Sequence, residues 1–130
     1  MSEQVLEIVT PLAERPDVVR VVVSDREGLL IGALKGKAAS GSMRDEETTD
    51  EQWSAFVAQF VTDAGAQLRN ITLHHPTDMV VHGTRDSLVI TWLHVGWLIT
   101  RVSPVADWGD LFATVRAVQQ QFDKATGESA

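Results

Sequence analysis

The densest hydrophobic pattern of the chain lies at residues 87–102, and it is typical of two strands. Both residues 88–93 and residues 97–102 alternate apolar side chains between two faces, and the connection at residues 94–96 ends in glycine, as in an antiparallel hairpin. In the first strand, Leu88, Ile90 and Trp92 are opposed by Val89 and Leu93; in the second, Trp97 and Ile99 are opposed by Leu98 and Val102. Because both faces are apolar, the pattern predicts a sheet covered on both sides.

Toward the N-terminus, the pattern predicts a short helix and a second hairpin. The helical stripe at i, i+3, i+4 and i+7 consists of Val5, Ile8, Val9 and Leu12. Pro16 ends this helix. Residues 18–24 are β-branched and apolar on both faces except at Arg20, which predicts a central strand. Residues 25–28 begin with Asp and end with Gly, which is typical of a type I turn, and residues 29–34 return as a strand with a bulge or close approach at Gly32.

The middle of the chain predicts a mobile loop and then the longest helix. Residues 35–48 are rich in Gly, Ser and charge, so they predict a loop. Thr49 and Gln52 have the spacing of a helix capping box. The apolar stripe that follows contains Trp53, Phe56, Val57, Phe60, Val61, Ala64 and Leu68. It spans about 140°, whereas a helix resting on one sheet needs about 100°. The surplus predicts a second contact, although a wide sheet would also account for it.

The C-terminal part completes a single domain over residues 1–130. Residues 78–83 predict a third strand, residues 83–86 a turn, and Asp107 caps a last helix that frays from about residue 124. Its stripe is Leu111, Val115, Val118 and Phe122. The predicted order is therefore α-β-β-α-β-β-β-α.

The composition limits the classes of partner and of chemistry that are expected. The net charge of −7 argues against binding to nucleic acid or to an anionic membrane surface. The absence of Cys excludes disulfides, thiolate catalysis and Cys-ligated zinc. There is no apolar run of ~18 residues and no basic, apolar leader, so a cytoplasmic protein is expected.

No catalytic or cofactor motif emerges. A phosphate loop needs Lys after its second glycine, whereas Ser42 follows Gly41 here. The four histidines, which lack a metal-ligand spacing, are His74, His75, His82 and His94. Acidic residues at 45–51 suit the start of the predicted middle helix, where the helix dipole favours them. The sequence therefore predicts a protein that is not an enzyme and that uses no cofactor or metal.

Two segments carry a family resemblance. Residues 21–31 read VVVSDREGLLI, an apolar strand followed by an aspartate-and-glycine turn. Residues 96–102 read GWLITRV and are followed by DWGDL at the start of the last helix. These segments, and the order of elements over residues 5–122, resemble the roadblock/dynein light chain family. The resemblance implies a five-stranded antiparallel sheet with the N- and C-terminal helices on one face and the middle helix on the other.

The resemblance also implies a homodimer and a partner. In such proteins the middle helices of two copies pack together and the third strands pair. The residues implied at this interface are Trp53, Phe56, Val57, Phe60, Met79, Val80, Val81 and His82. Members act as regulators or scaffolds of small Ras-like GTPases, or as light chains of motor complexes, and do not themselves hydrolyse nucleotide. The comparable bacterial proteins accompany a GTPase of the gliding-motility type.

Two other hypotheses remain. One is an acidic, dimeric protein similar to the type III secretion chaperones, which hold an unfolded partner segment along apolar grooves. The other is a small-molecule sensor or enzyme in which Trp92, Trp97 and the histidines line a cavity, although core packing is the commoner use of such tryptophans.

Overall fold

The predicted order of helices and strands is confirmed. The computed structural model describes residues 3–39, 49–71, 77–105 and 107–126. Within these ranges the elements are α1 (Glu3–Ala13), β1 (Val18–Asp25), β2 (Leu30–Lys35), α2 (Asp50–Arg69), β3 (Asp78–His82), β4 (Ser87–Trp92), β5 (Gly96–Val102) and α3 (Trp108–Ala125). A single 3-10 turn at Lys37–Ala39 follows β2. The remainder of the predicted mobile loop, residues 40–48, lies outside the described residues, as do residues 72–76 with His74 and His75, residue 106, and residues 127–130 at the predicted frayed end.

The five strands form one antiparallel sheet in the order β2-β1-β5-β4-β3. The two hairpins meet along β1 and β5, where Val22 lies opposite Ile99 and Asp25 opposite Gly96. On the other side of β5, Ile90 lies opposite the same Ile99. Within the described residues β3 pairs only with β4 and is therefore an edge strand.

Both faces of the sheet are covered, as the double alternation predicted. The core beneath the terminal helices, the α1–α3 core, includes Leu12, Val89, Leu98, Val102, Leu111 and Phe122. The core beneath the middle helix, the α2 core, includes Val22, Val57, Ala58, Val61, Ile90, Trp97 and Ile99. Side chains at successive strand positions thus divide between two layers, with α1 and α3 on one face and α2 on the other.

The predicted turn and caps are confirmed at the level of hydrogen bonds. Asp25 Oδ1 accepts from the backbone N–H of Glu27 and from that of Leu29, both at 2.9 Å. Gly28 has a φ of 90°, which favours glycine. A register shift at Val23 places the strand irregularity next to Gly32. Thr49 and Gln52 form the capping box of α2, and Asp107 caps α3. Residues 25–28 therefore fix the first hairpin, and the caps fix where the two long helices begin.

No helix in the described ranges combines the length and the apolar character needed to cross a membrane.

Candidate protein-interaction surface

Helix α2 rests on the sheet through small side chains. Its buried positions are Ser54, Val57, Ala58, Val61 and Gly65. The turn of the first hairpin approaches the helix so closely that a Cβ on Gly28 would lie 3.1 Å from Ala55 Cα. The rings of Phe56 and Phe60 lie outside the α2 core, whereas Trp53 packs half-buried against it. Phe56 is 71% exposed and Phe60 is 47% exposed.

These two rings border an apolar cleft between α2 and the β3–β4 hairpin. The cleft has a volume of about 180 Å³. Its lining residues carry no charged group and are Trp53, Phe56, Val57, Phe60, Val81, Leu88 and Ile90. Exposed apolar surface of this kind, concentrated on one side of a domain, is typical of a protein-binding surface. We refer to it as the α2–β3 cleft.

The strand that borders the cleft exposes apolar side chains on both faces. Val81 lies opposite Leu88 on the α2 face, and Val80 lies opposite Val89 on the other. Both valines are exposed, and no described strand pairs with the outer edge of β3. An edge strand with unused N–H and C=O groups and apolar side chains is a template for pairing with another chain.

The structure divides the eight residues that the resemblance implied. Trp53, Phe56, Val57, Phe60 and Val81 line the α2–β3 cleft. Val57 is buried at the floor of the cleft, so it contributes to the packing beneath the cleft more than to the exposed surface.

The other three lie elsewhere on β3. Met79 packs half-buried against the α2 core. Val80 and His82 are on the opposite face, where the His82 ring meets the Trp108 ring edge-on at 5.4 Å. Leu88 and Ile90 also line the cleft and were not among the implied residues. Their alternation placed them on one face of β4, but the register that sets Leu88 opposite Val81 was needed to include them in the cleft.

Two arginines lie near the N-terminal end of α2, and each is held by a carboxylate. Arg101 places its guanidinium 5.9 Å from the centre of the Trp53 ring and donates to Asp86 Oδ2 from Nε at 2.9 Å. Arg20, the exception in the apolar pattern of β1, donates from Nη2 to Asp50 Oδ2 at 2.7 Å. The Asp86–Arg101 pair therefore helps to fix Trp53 at the edge of the cleft.

The described residues contain no group of three His, Cys, Asp or Glu side chains placed to hold a metal ion. His82 Nδ1 lies 3.0 Å from Ser87 Oγ, and His94 Nε2 lies 3.9 Å from Asp123 Oδ2. These two histidines contact different elements and do not form one site.

The sheet with α2 on one face and the terminal helices on the other is the fold of the roadblock/LC7 proteins. Among solved structures, the chain is similar to Myxococcus xanthus MglB, with 16% identity, a TM-score of 0.78, and coverage of 100% of this chain and 95% of that chain. It is similar to a structure described as MglB with a tetrameric arrangement, with 14% identity, a TM-score of 0.83, and coverage of 98% and 91%. It is also similar to a roadblock/LC7 domain from Streptomyces avermitilis, with 17% identity, a TM-score of 0.67, and coverage of 88% and 91%. No protein-family model matches the sequence, and no curated protein matches it.

Proposed function

We propose that the chain is a non-catalytic, homodimeric adaptor that regulates a small Ras-like GTPase in the cytoplasm. The observation that carries this proposal is the exposure of Phe56 and Phe60 beside an apolar edge strand. The fold supports it, because roadblock-type proteins are regulators or scaffolds of such GTPases. The similar structure described as a tetrameric arrangement of MglB supports self-association in proteins of this fold.

The shape of the surface favours a second copy of this chain as its first occupant. A two-fold axis beside β3 would set α2 against α2 and β3 against β3, so that the same patch serves both subunits. The exposed edge of β3 would then be paired, and the exposed faces of Phe56 and Phe60 would leave water. The net charge of −7 on each copy opposes association only weakly, because the cleft lining is uncharged and ions screen charges beyond ~8 Å.

Replacing Phe60 with Asp is expected to convert the dimer to a monomer. The two-fold axis would bury two carboxylates without partners, which is costly in an apolar contact. We expect the dissociation constant, measured by analytical ultracentrifugation, to rise by at least about a hundredfold. The matched control is Leu29→Asp, which introduces the same charge at an exposed leucine that does not line the cleft. A wild-type chain that sediments as a monomer at all concentrations would remove the basis of the proposal.

The GTPase part of the proposal is tested with each small Ras-like GTPase encoded in the same genome, beginning with any that lies beside this chain's gene. The purified GTPase is loaded with GDP or with a non-hydrolysable GTP analogue, and binding of the chain is measured by calorimetry. A regulator distinguishes the two nucleotide states, so we expect affinities that differ by about tenfold. Equal affinity for both nucleotide states would contradict a regulatory role. Binding to neither state would contradict the proposal that a small GTPase is the partner.

The same experiments distinguish the chaperone hypothesis from the adaptor proposal. A chaperone would bind an unfolded segment along the α2–β3 cleft and would not bind a folded GTPase. Capture of a chemically unfolded chain by the wild-type protein, together with no binding of the folded GTPase, would favour that hypothesis over the adaptor.

A further inference from the structure

A second cavity lies where the turn between β1 and β2, the β4–β5 hairpin and the C-terminal half of α2 meet. Its volume is about 370 Å³, within the range of small-molecule sites. It shares no lining residue with the α2–β3 cleft. Its lining consists of Arg26, Val61, Thr62, Gly65, Arg69, Trp92 and Trp97. We call it the indole–arginine cavity.

Arg26 is fixed in this cavity by the opposite hairpin. Its Nη2 donates to the carbonyl oxygens of Leu93 and His94, at 2.5 and 3.1 Å. Its guanidinium lies 4.4 Å from the centre of the Trp92 ring and 5.3 Å from that of Trp97. Burial lowers the pKa of Arg26 below its ordinary value, and the nearby charge of Asp123 partly offsets this. The side chain remains a cation at any physiological pH.

The unused polar groups of the cavity are hydrogen-bond donors. Nε and Nη1 of Arg26 make no hydrogen bond to the described residues. Arg69 forms no ion pair with them either, and Trp97, only 8% exposed, has an Nε1–H without a partner among them. The Thr62 hydroxyl donates to the carbonyl oxygen of Ala58 at 2.8 Å. None of the described residues that line this cavity is a carboxylate, although the chain as a whole is acidic.

We propose that the indole–arginine cavity binds a flat organic carboxylate. Guanidinium groups present N–H donors in a fork that matches a carboxylate, and Arg26 is already held in place. The indoles of Trp92 and Trp97, with Val61, provide apolar walls for the body of the ligand. The carboxylate group is supplied either by a free small molecule or by an acidic side chain of a partner protein. This inference does not depend on the proposed GTPase or on dimerisation.

The test is a titration of the full chain with phenylacetate, followed by the indole N–H signals in ¹H–¹⁵N NMR spectra. The four tryptophans give four such signals, of which those of Trp53 and Trp108 report regions outside the cavity. We expect the Trp97 signal to move with a dissociation constant of about 1 mM, reasonable for so small a ligand. Movement of the Trp53 or Trp108 signal with Trp97 unchanged would place binding elsewhere and overturn the proposal.

Matched variants and probes test the chemistry. Arg69→Gln is expected to weaken phenylacetate binding about tenfold, whereas Arg85→Gln, the same change at an exposed site outside the cavity, leaves it unchanged. Equal weakening of phenylacetate binding in both variants would contradict the location of the site.

Neutral phenylacetamide and inorganic phosphate are expected to bind at least about tenfold more weakly than phenylacetate. Phenylacetamide lacks the charge, and phosphate lacks the apolar body. Equal binding of either would overturn the ligand class.

A peptide with glutamate between two leucines distinguishes the two sources of the carboxylate, a free small molecule and an acidic side chain of a partner protein. Tighter binding than phenylacetate at the Trp97 signal supports the proposal with a partner side chain as the carboxylate. Weaker binding supports it with a free small molecule.

Discussion

Replacing Gly96 with alanine is expected to destabilise the fold strongly. A Cβ at this position would lie 1.9 Å from the carbonyl oxygen of Ser24 and 2.6 Å from Asp25 Cα. Both atoms belong to the backbone of β1, so no flexible side chain can move aside. Relief requires that β1 and β5, which both lie inside the sheet, separate at the end of their pairing, where Gly96 lies opposite Asp25. We expect the free energy of unfolding, measured by urea denaturation, to fall by at least about 3 kcal/mol, at or beyond the upper end for overpacked sites.

Gly109→Ala is the matched control for this prediction. It lies in the first turn of α3, where the added Cβ would meet only Asp107 Oδ1 at 3.4 Å. Alanine is the better helix former by about 0.5–1 kcal/mol, so this variant should be unchanged or slightly more stable. A Gly96→Ala chain that unfolds within 1 kcal/mol of the wild type would show that β1 and β5 tolerate a wider spacing.

Replacing Phe122 with alanine is the second change with a large expected effect. Phe122 is 1% exposed and lies on α3 in the α1–α3 core. Removing the ring takes away its transfer free energy and leaves a cavity that the surrounding side chains fill only in part. We expect a loss of about 3–5 kcal/mol in the free energy of unfolding, from the same urea denaturation.

Phe56→Ala makes the same chemical change on the opposite face of the sheet, where the ring is 71% exposed. A loss below about 1 kcal/mol is expected for the isolated subunit. A further loss that grows with protein concentration would belong to association, because dimers couple stability to concentration. Equal, concentration-independent losses in the two variants would contradict the assignment of Phe56 to the surface and of Phe122 to the core.

The strands and the helix starts could be predicted because their signals are local. Asp25 and Gly28 fix a turn within four residues, and the Thr49–Gln52 pair fixes a helix start within another four. Alternation along β4 and β5 assigned side chains to the correct faces, since both faces of these strands are covered. The family resemblance supplied what periodicity does not, namely which face each helix covers.

The buried side of α2 was predicted only in part: Val57 and Val61 of the apolar stripe are buried, but the small residues beside them were not predicted to be. A hydrophobic stripe marks the apolar side of a helix, whereas α2 approaches the sheet through Ser54, Ala58 and Gly65. Small residues permit close contact without raising the apolar signal, so the stripe did not show that they share the buried side of the helix with Val57 and Val61. The rings of Phe56 and Phe60 are exposed, and the surplus width of the stripe had predicted a second contact there.

The contacts of Arg20 and Arg26 could not be predicted from local sequence patterns either. Arg20 interrupts an apolar strand without explanation until Asp50 is placed beside it by the fold. Arg26 meets the indoles of Trp92 and Trp97 only because two hairpins distant in sequence lie side by side.

The placement of α1 and α3 on one face, opposite α2, has a practical consequence for measurements on this protein. Both helices that flank the domain lie behind the sheet when it is viewed from Phe56 and Phe60. A fluorescent label or a surface tether attached at an exposed position on the outside of α1 or α3, such as Glu7 or Gln120, would therefore project away from α2. Immobilising the protein through either site would leave the aromatic side free to meet a partner in solution.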